Sequence, residues 1–141
     1  MTVGIVFSGL SWIVVGAMQL VLDGGHTFSI FYQIAPYALL TMGEVLVSTT
    51  GLEFAYSQAP LAMKGTLMAA WNLSVTVGNL WVLVVNAAAR NKTVTDFIAA
   101  KGFGVTASQM FFFAAFAFVA ALAFGLVART YRVVDYYRKT P

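Results

Sequence analysis

Apolar residues run along this chain in four long blocks separated by short polar connections. Val3 to Leu22 carries no charge, and Phe31 to Val47 is apolar apart from Glu44 and a few hydroxyls. Leu67 to Ala89 and Val105 to Ala128 complete the set. A helix crossing a bilayer core needs roughly 20 mostly apolar residues. Each block reaches or approaches that length, the second by running on towards Tyr56. The pattern predicts an all-α integral membrane protein with four transmembrane helices, at about 3–23, 30–56, 65–89 and 105–130, forming one membrane segment set over residues 1–141.

The connections fit this division. Asp23-Gly24-Gly25-His26 reads as a tight turn. Pro60 in Gln58-Ala59-Pro60-Leu61 ends the second helix, because proline lacks a donor and restricts the residue before it. Arg90 to Thr106 is a longer polar link holding Asp96 and a flexible Gly102-Phe103-Gly104. The first block has no basic leader, and Gln19-Leu20-Val21-Leu22 offers no small-residue cleavage site, so it reads as a retained span rather than a signal peptide.

Composition sharpens the picture. Hydrophobic residues make up 60% of the 141 and charged residues 9%, against about 25% charged in soluble domains. A soluble fold of this size cannot hide so much apolar surface, so lipid must be the solvent for much of it. Cysteine is absent, which excludes a disulfide scaffold and a thiolate metal site. The net charge of +3 comes from bases without the aromatic interleaving of a nucleic-acid stripe. Four spans put both ends on one side, together with Lys64, Arg129, Arg132, Arg138 and Lys139; Arg90, Lys92 and Lys101 lie on the other. The positive-inside rule then places both termini and the Lys64 connection in the cytoplasm. The bases and tyrosines from Arg129 to Lys139 read as an interfacial anchor near anionic headgroups.

Candidate chemistry gathers on the second helix. Tyr37, Thr41, Glu44, Ser48 and Gly51 recur at helical spacing along one side, while Leu39, Leu40, Val45 and Leu46 lie off it. A carboxylate inside a membrane is costly and marks function or a partner. Glu44 could bind an ammonium, accept a proton or form an ion pair, yet none of the four spans has a Lys or Arg in its middle. Each option argues against a complete, inert bundle. Glu53, nearer the cytoplasmic end, reads as structural. On the third helix Asn72, Thr76, Asn79 and Asn86 share one side, and Gly78 permits close approach; these suit interhelical packing. Trp71 suits either an interfacial anchor or a pocket wall. The aromatic and small residues of the fourth helix cover its whole circumference, which predicts a peripheral, lipid-facing helix. Gly9, Gly16, Ser8 and Ser11 mark a helix contact on the first. His26 stands alone and no metal-ligand spacing or phosphate-cradling loop occurs, so an enzyme is not expected.

One set of motifs goes further than the physics. Gly43-Glu44-Val45 through Ser48, Gly51-Leu52-Glu53-Phe54-Ala55-Tyr56-Ser57-Gln58-Ala59-Pro60, Met63-Lys64-Gly65, Trp71 and Gly78-Asn79 closely resemble the proton-dependent oligopeptide transporters of the major facilitator superfamily. The likeness is to the final third of that twelve-helix fold, helices nine to twelve. It implies that Glu44 helps hold the amino terminus of a di- or tripeptide, with Ser48 and Trp71 lining the same cavity. It also implies that Gly51, Glu53, Pro60, Gly78 and Asn79 serve the cytoplasmic gate or helix packing.

The family's coupling carboxylates and bases on its first and fourth helices have no counterpart here. The resemblance therefore implies a C-terminal fragment of a proton-coupled symporter in the cell inner membrane. The expected partners are peptides, protons, lipid and the missing N-terminal helices, supplied by the same or a companion chain. No cofactor beyond the proton gradient and no nucleic acid is expected. The alternative is a small four-helix membrane subunit with a structural or scaffolding role.

Overall fold

The computed structural model describes residues 1–27, 29–100, 102 and 104–132, the side chain of Leu61 excepted. It is all-helical among these residues. Four helices are long and apolar enough to cross a membrane: α1 (Thr2–Asp23), α2 (Ile34–Gln58), α3 (Lys64–Ala89) and α5 (Val105–Thr130). The chain is thus a multi-pass membrane protein of the expected fold class. Arg138, Lys139 and Lys101, three of the bases used to orient it, lie outside the described residues.

Local chemistry explains the boundaries. At the end of α1, the Gly24 N–H donates to the Leu20 carbonyl at 3.1 Å, and Gly25 takes φ +85°, which lets the chain reverse; only glycine adopts that region freely. Gln19 donates to Asp23 Oδ1 at 2.9 Å within the same helix end. A 3₁₀ turn, Ile30–Gln33, leads into α2, whose Pro36 falls in the first turn, where its missing N–H costs nothing. At the other end Ala59 is extended (φ −99°, ψ 134°), as a residue before proline must be. A second 3₁₀ turn, Leu61–Met63, then opens α3.

The link after α3 departs from the sequence expectation. It holds a short helix, α4 (Lys92–Ala99), where only a polar connection was foreseen. Asn91 starts it by accepting a hydrogen bond from the Thr93 N–H at 3.1 Å, the usual N-cap arrangement. Val94 and Ile98, one turn apart, join Trp81, Val85, Val105 and Phe112 around an apolar groove of about 330 Å³. Lys92, Thr93 and Asp96 of the link are exposed on this short helix.

Packing centres on α1, which lies against both α2 and α5. Where α1 crosses α2, a Cβ on Gly4 would stand 2.7 Å from the Gly43 carbonyl oxygen, and one on Gly43 2.6 Å from Ser8 Oγ. Two glycines thus let the backbones touch, the device membrane helices use when no hydrophobic force drives them together. Ser11 Oγ, buried, donates to the Pro36 carbonyl at 2.7 Å and ties the same pair.

Against α5, Gly9 lies beneath the Phe118 ring and Gly16 beneath Phe111. Trp12 meets Phe113 with ring centroids 5.3 Å apart. Ala107, Ala114 and Ala121, at every seventh position, are buried on this side of α5. The reading of α5 as lipid-facing all round is therefore corrected. It has a defined seam, invisible to polarity because the contrast is between small and large apolar residues.

Helix α3 stands largely apart, with none of its residues buried. It touches α5 through Trp81, stacked on Phe116 at 5.6 Å, and through Asn86, which accepts a hydrogen bond from Gln109. It touches α2 through Trp71.

Candidate substrate-binding face

The rotation of α2 follows from its glycines. Gly43 is buried against α1. The next residue is turned by 100°, so Glu44 points away from that contact. Ser48 follows one turn later on the same side, and Thr41 precedes it by one turn. Tyr37, Thr41, Glu44 and Ser48 are all exposed. Thr41 satisfies its hydroxyl on the Tyr37 carbonyl at 2.9 Å, within the helix. Among the described residues, Glu44 and Ser48 hydrogen-bond to no other side chain, and no base pairs with Glu44. Their polar groups are open to whatever comes to that side of α2.

The stripe ends on an aromatic. Gly51 is buried, and a Cβ on it would stand 2.7 Å from Trp71 Cη2, 2.8 Å from Met1 Cε and 3.2 Å from Trp71 Cζ3. The six-membered ring of Trp71 is thus seated on the α2 backbone, three residues beyond Ser48, and is itself half-buried. Four of the sequence-predicted residues, Glu44, Ser48, Gly51 and Trp71, are brought onto one line.

Helical geometry carries this line further along both helices. The short connection from Ala59 to Met63 makes α2 and α3 antiparallel neighbours. Glu44 lies seven residues from Gly51, and Gly78 seven residues from Trp71. Each is therefore roughly 10 Å along its helix from the point where the two meet, on the same side as that contact. A Cβ at Gly78 would meet nothing within 4 Å, so the space beside it is open. Glu44, Ser48 and Gly51 thus share one side of α2, and Trp71 of α3 rests at its Gly51 end.

The other predicted residues are not gathered there. Glu53 follows Glu44 by nine positions, half a turn out of phase, and is exposed on the far side of α2. Asn79 is exposed on α3 beside Gly78, and Asn72 and Thr76 likewise face outward; Thr76 donates back to the Asn72 carbonyl at 3.0 Å. Within the described residues these amides do not pack against another helix. Pro60 borders a groove of about 510 Å³ with Phe54, Gln58, Met63, Leu67 and Tyr131, and none of Glu44, Ser48 or Trp71 enters it. Nearby, Lys64 Nζ lies 5.6 Å from the centroid of the Tyr56 ring. Phe54 and Tyr131 meet edge to face at 5.5 Å, joining this end of α2 to the end of α5.

Residues 1–105 match the POT family (PTR2). The chain belongs to the POT family. It is 41% identical over 111 residues to solute carrier family 15 member 1 of Oryctolagus cuniculus, a match covering 78% of this chain and 14% of that protein. Over 60 residues it is 61% identical to solute carrier family 15 member 2 of Homo sapiens, covering 43% of this chain and 8% of the relative.

The crystal structure of an auto-inhibited POT family peptide transporter superposes with a TM-score of 0.94 at 64% identity, covering 99% of this chain and 27% of that one. A second, of a proton-dependent oligopeptide (POT) family transporter, gives 0.78 at 66% identity, covering 88% and 27%. The chain therefore spans about 14% of the length of the first curated relative and about a quarter of the solved transporters. POT proteins are transporters rather than enzymes.

Two features of this POT segment escaped the sequence reading. The Gly4–Gly43 crossing was missed because Gly43 was read only as part of a motif, although glycines inside a membrane helix generally mark close contacts. The seat of Trp71 on Gly51 was missed because the two are twenty positions apart on different helices, and no periodicity links them.

Proposed function

We propose that this POT chain supplies part of the peptide-binding cavity and of the cytoplasmic gate of a proton-coupled di- and tripeptide symporter. Glu44 receives the substrate's terminal ammonium, Ser48 offers a hydroxyl one turn on, and Trp71 forms an aromatic wall. The observation that carries this reading is the placement of a carboxylate, unpaired among the described residues, and a hydroxyl on the exposed side of a membrane-spanning helix that also seats a tryptophan. A carboxylate there is stabilised only by water or by a cationic partner, and a peptide's amino terminus is such a cation. Hydrogen bonds to a charged group, at roughly 1.5–3 kcal/mol, are strong enough to select for it.

Gly51, Glu53, Pro60, Gly78 and Asn79 serve the gate and the packing around it. The exposed Asn72, Thr76 and Asn79 of α3 suit contact with the remaining transporter helices, from the same or a companion chain. A cavity between two halves of a transporter requires both. The proton gradient is the driving ion, and the groups that take up the proton lie on those other helices. The location proposed is the cell inner membrane, with both termini cytoplasmic; the orientation rests on the distribution of Lys and Arg.

Uptake of a labelled dipeptide into liposomes, with and without an imposed proton gradient, tests this. Three samples are compared: the chain alone, the chain co-expressed with the coding segment upstream of it, and the latter carrying Glu44→Gln. Gradient-driven uptake in the second alone is expected. Uptake undiminished by Glu44→Gln would refute the role given to that carboxylate. No uptake by the co-expressed pair, with insertion confirmed, would favour the scaffolding alternative.

A further inference from the structure

The notch at Gly51 has a use beyond tight packing. We propose that Gly51 is a positioning residue for Trp71: its missing side chain seats the indole on the α2 backbone and so fixes where the aromatic wall of the proposed cavity stands. The proposal rests on the reading of Trp71 as a wall of the peptide cavity.

The geometry separates this glycine from the others on the two helices. A methyl at Gly65 or Gly78 would meet nothing within 4 Å. At Gly43 it would meet α1. Only at Gly51 does the missing methyl leave room for a side chain from the other of these two helices, with Trp71 Cη2 2.7 Å and Trp71 Cζ3 3.2 Å from its place.

Met1 Cε, at 2.8 Å, is the far end of a flexible side chain and can swing aside. The indole cannot, because its edge moves only if the whole ring turns or α3 shifts. Ordinary contact begins near 3.4 Å, so a methyl at Gly51 displaces the ring edge by about 0.7 Å. The methyl stands between the α2 backbone and the ring, so the ring edge moves outward from α2, into space that the proposed cavity would offer a substrate. The space lost is that of the bulkier substrate, so the notch acts on peptide size rather than on charge.

The test uses the full chain labelled with 5-fluorotryptophan in lipid nanodiscs. Its three tryptophans, Trp12, Trp71 and Trp81, give three fluorine resonances, that of Trp71 being assigned by its loss in Trp71→Phe. In Gly51→Ala the Trp71 resonance is expected to shift while those of Trp12 and Trp81 stay in place, and Gly78→Ala is expected to move none. An unmoved Trp71 resonance in Gly51→Ala, or displacement of all three, would overturn the proposal.

In the co-expressed transporter, Gly51→Ala is expected to raise KM for a tripeptide several-fold relative to that for a dipeptide. Trp71→Phe in the same background should restore the ratio, since the smaller ring clears the methyl. A shifted resonance with an unchanged KM ratio would show that Gly51 seats Trp71 but that Trp71 does not wall the cavity. Absence of uptake from the wild-type pair would refute the functional reading, while the fluorine spectra still decide the notch.

Discussion

Substituting Gly43 by alanine tests the contact that sets the rotation of α2. The methyl would lie 2.6 Å from Ser8 Oγ and 2.7 Å from the Gly4 carbonyl oxygen. Ser8 can rotate away, but a backbone carbonyl cannot, so α1 and α2 must part by about 0.7 Å to restore an ordinary 3.4 Å contact. Overfilling a tight site costs roughly 1–3 kcal/mol. Against this, alanine in place of glycine inside a helix gains up to about 1 kcal/mol. Because the clash is with backbone, overfilling wins, and a net loss of about 1–2 kcal/mol is expected. That is a roughly 5- to 30-fold change in the folded-to-unfolded ratio.

The assay is reversible unfolding in mixed micelles of rising SDS content, followed by far-UV circular dichroism. Gly65→Ala and Gly78→Ala serve as controls, because their methyls enter open space; they should be neutral or stabilising by up to about 1 kcal/mol. Gly4→Ala should resemble Gly43→Ala, since its methyl would stand 2.7 Å from the Gly43 oxygen. One separation of the helices relieves both clashes, so the double variant should cost less than the two singles together. If Gly43→Ala stabilises the chain as the controls do, the backbone contact between α1 and α2 is refuted. The argument that it turns Glu44 outward would fall with it.

Two further outcomes follow from single contacts. Ser11→Ala removes the buried bond to the Pro36 carbonyl and should lower stability by about 1 kcal/mol in the same micelle titration, in line with other interhelical bonds in membranes. Asn91→Ala removes the N-cap of α4, worth about 1 kcal/mol locally; amide exchange should quicken in α4 while the protection of α1 and α5 stays unchanged.

Much of the membrane architecture was legible in the sequence because lipid imposes it. Every backbone group in a bilayer must be satisfied within the chain, so a long apolar block has few options other than a helix. The same logic made Glu44 conspicuous, since a carboxylate among apolar residues has no trivial explanation. What failed was the reading of helix against helix. On α5, alanines and phenylalanines are alike in hydropathy, so the seam of Ala107, Ala114 and Ala121 gives no polarity signal. The link after α3 was read only as a polar connection, and the cap at Asn91 together with the Val94 and Ile98 pair went unread. The amides of α3 were seen to share a side; Asn86 meets Gln109 of α5, while Asn72 and Asn79 face outward with no helix against them among the described residues.

Sequence alone determined the class of this protein, its four spans, its family and the stripe from Tyr37 to Gly51, because each depends on residue type and spacing along one helix. The tertiary structure decided which side of each helix is buried, and so which way Glu44 faces. In a membrane that choice is made by shape rather than by hydrophobicity: Gly4 accepts Gly43, Gly9 and Gly16 accept rings from α5, and Gly51 accepts Trp71. Complementary shapes on separate helices have no common period in the sequence, so they become visible only when the helices are assembled.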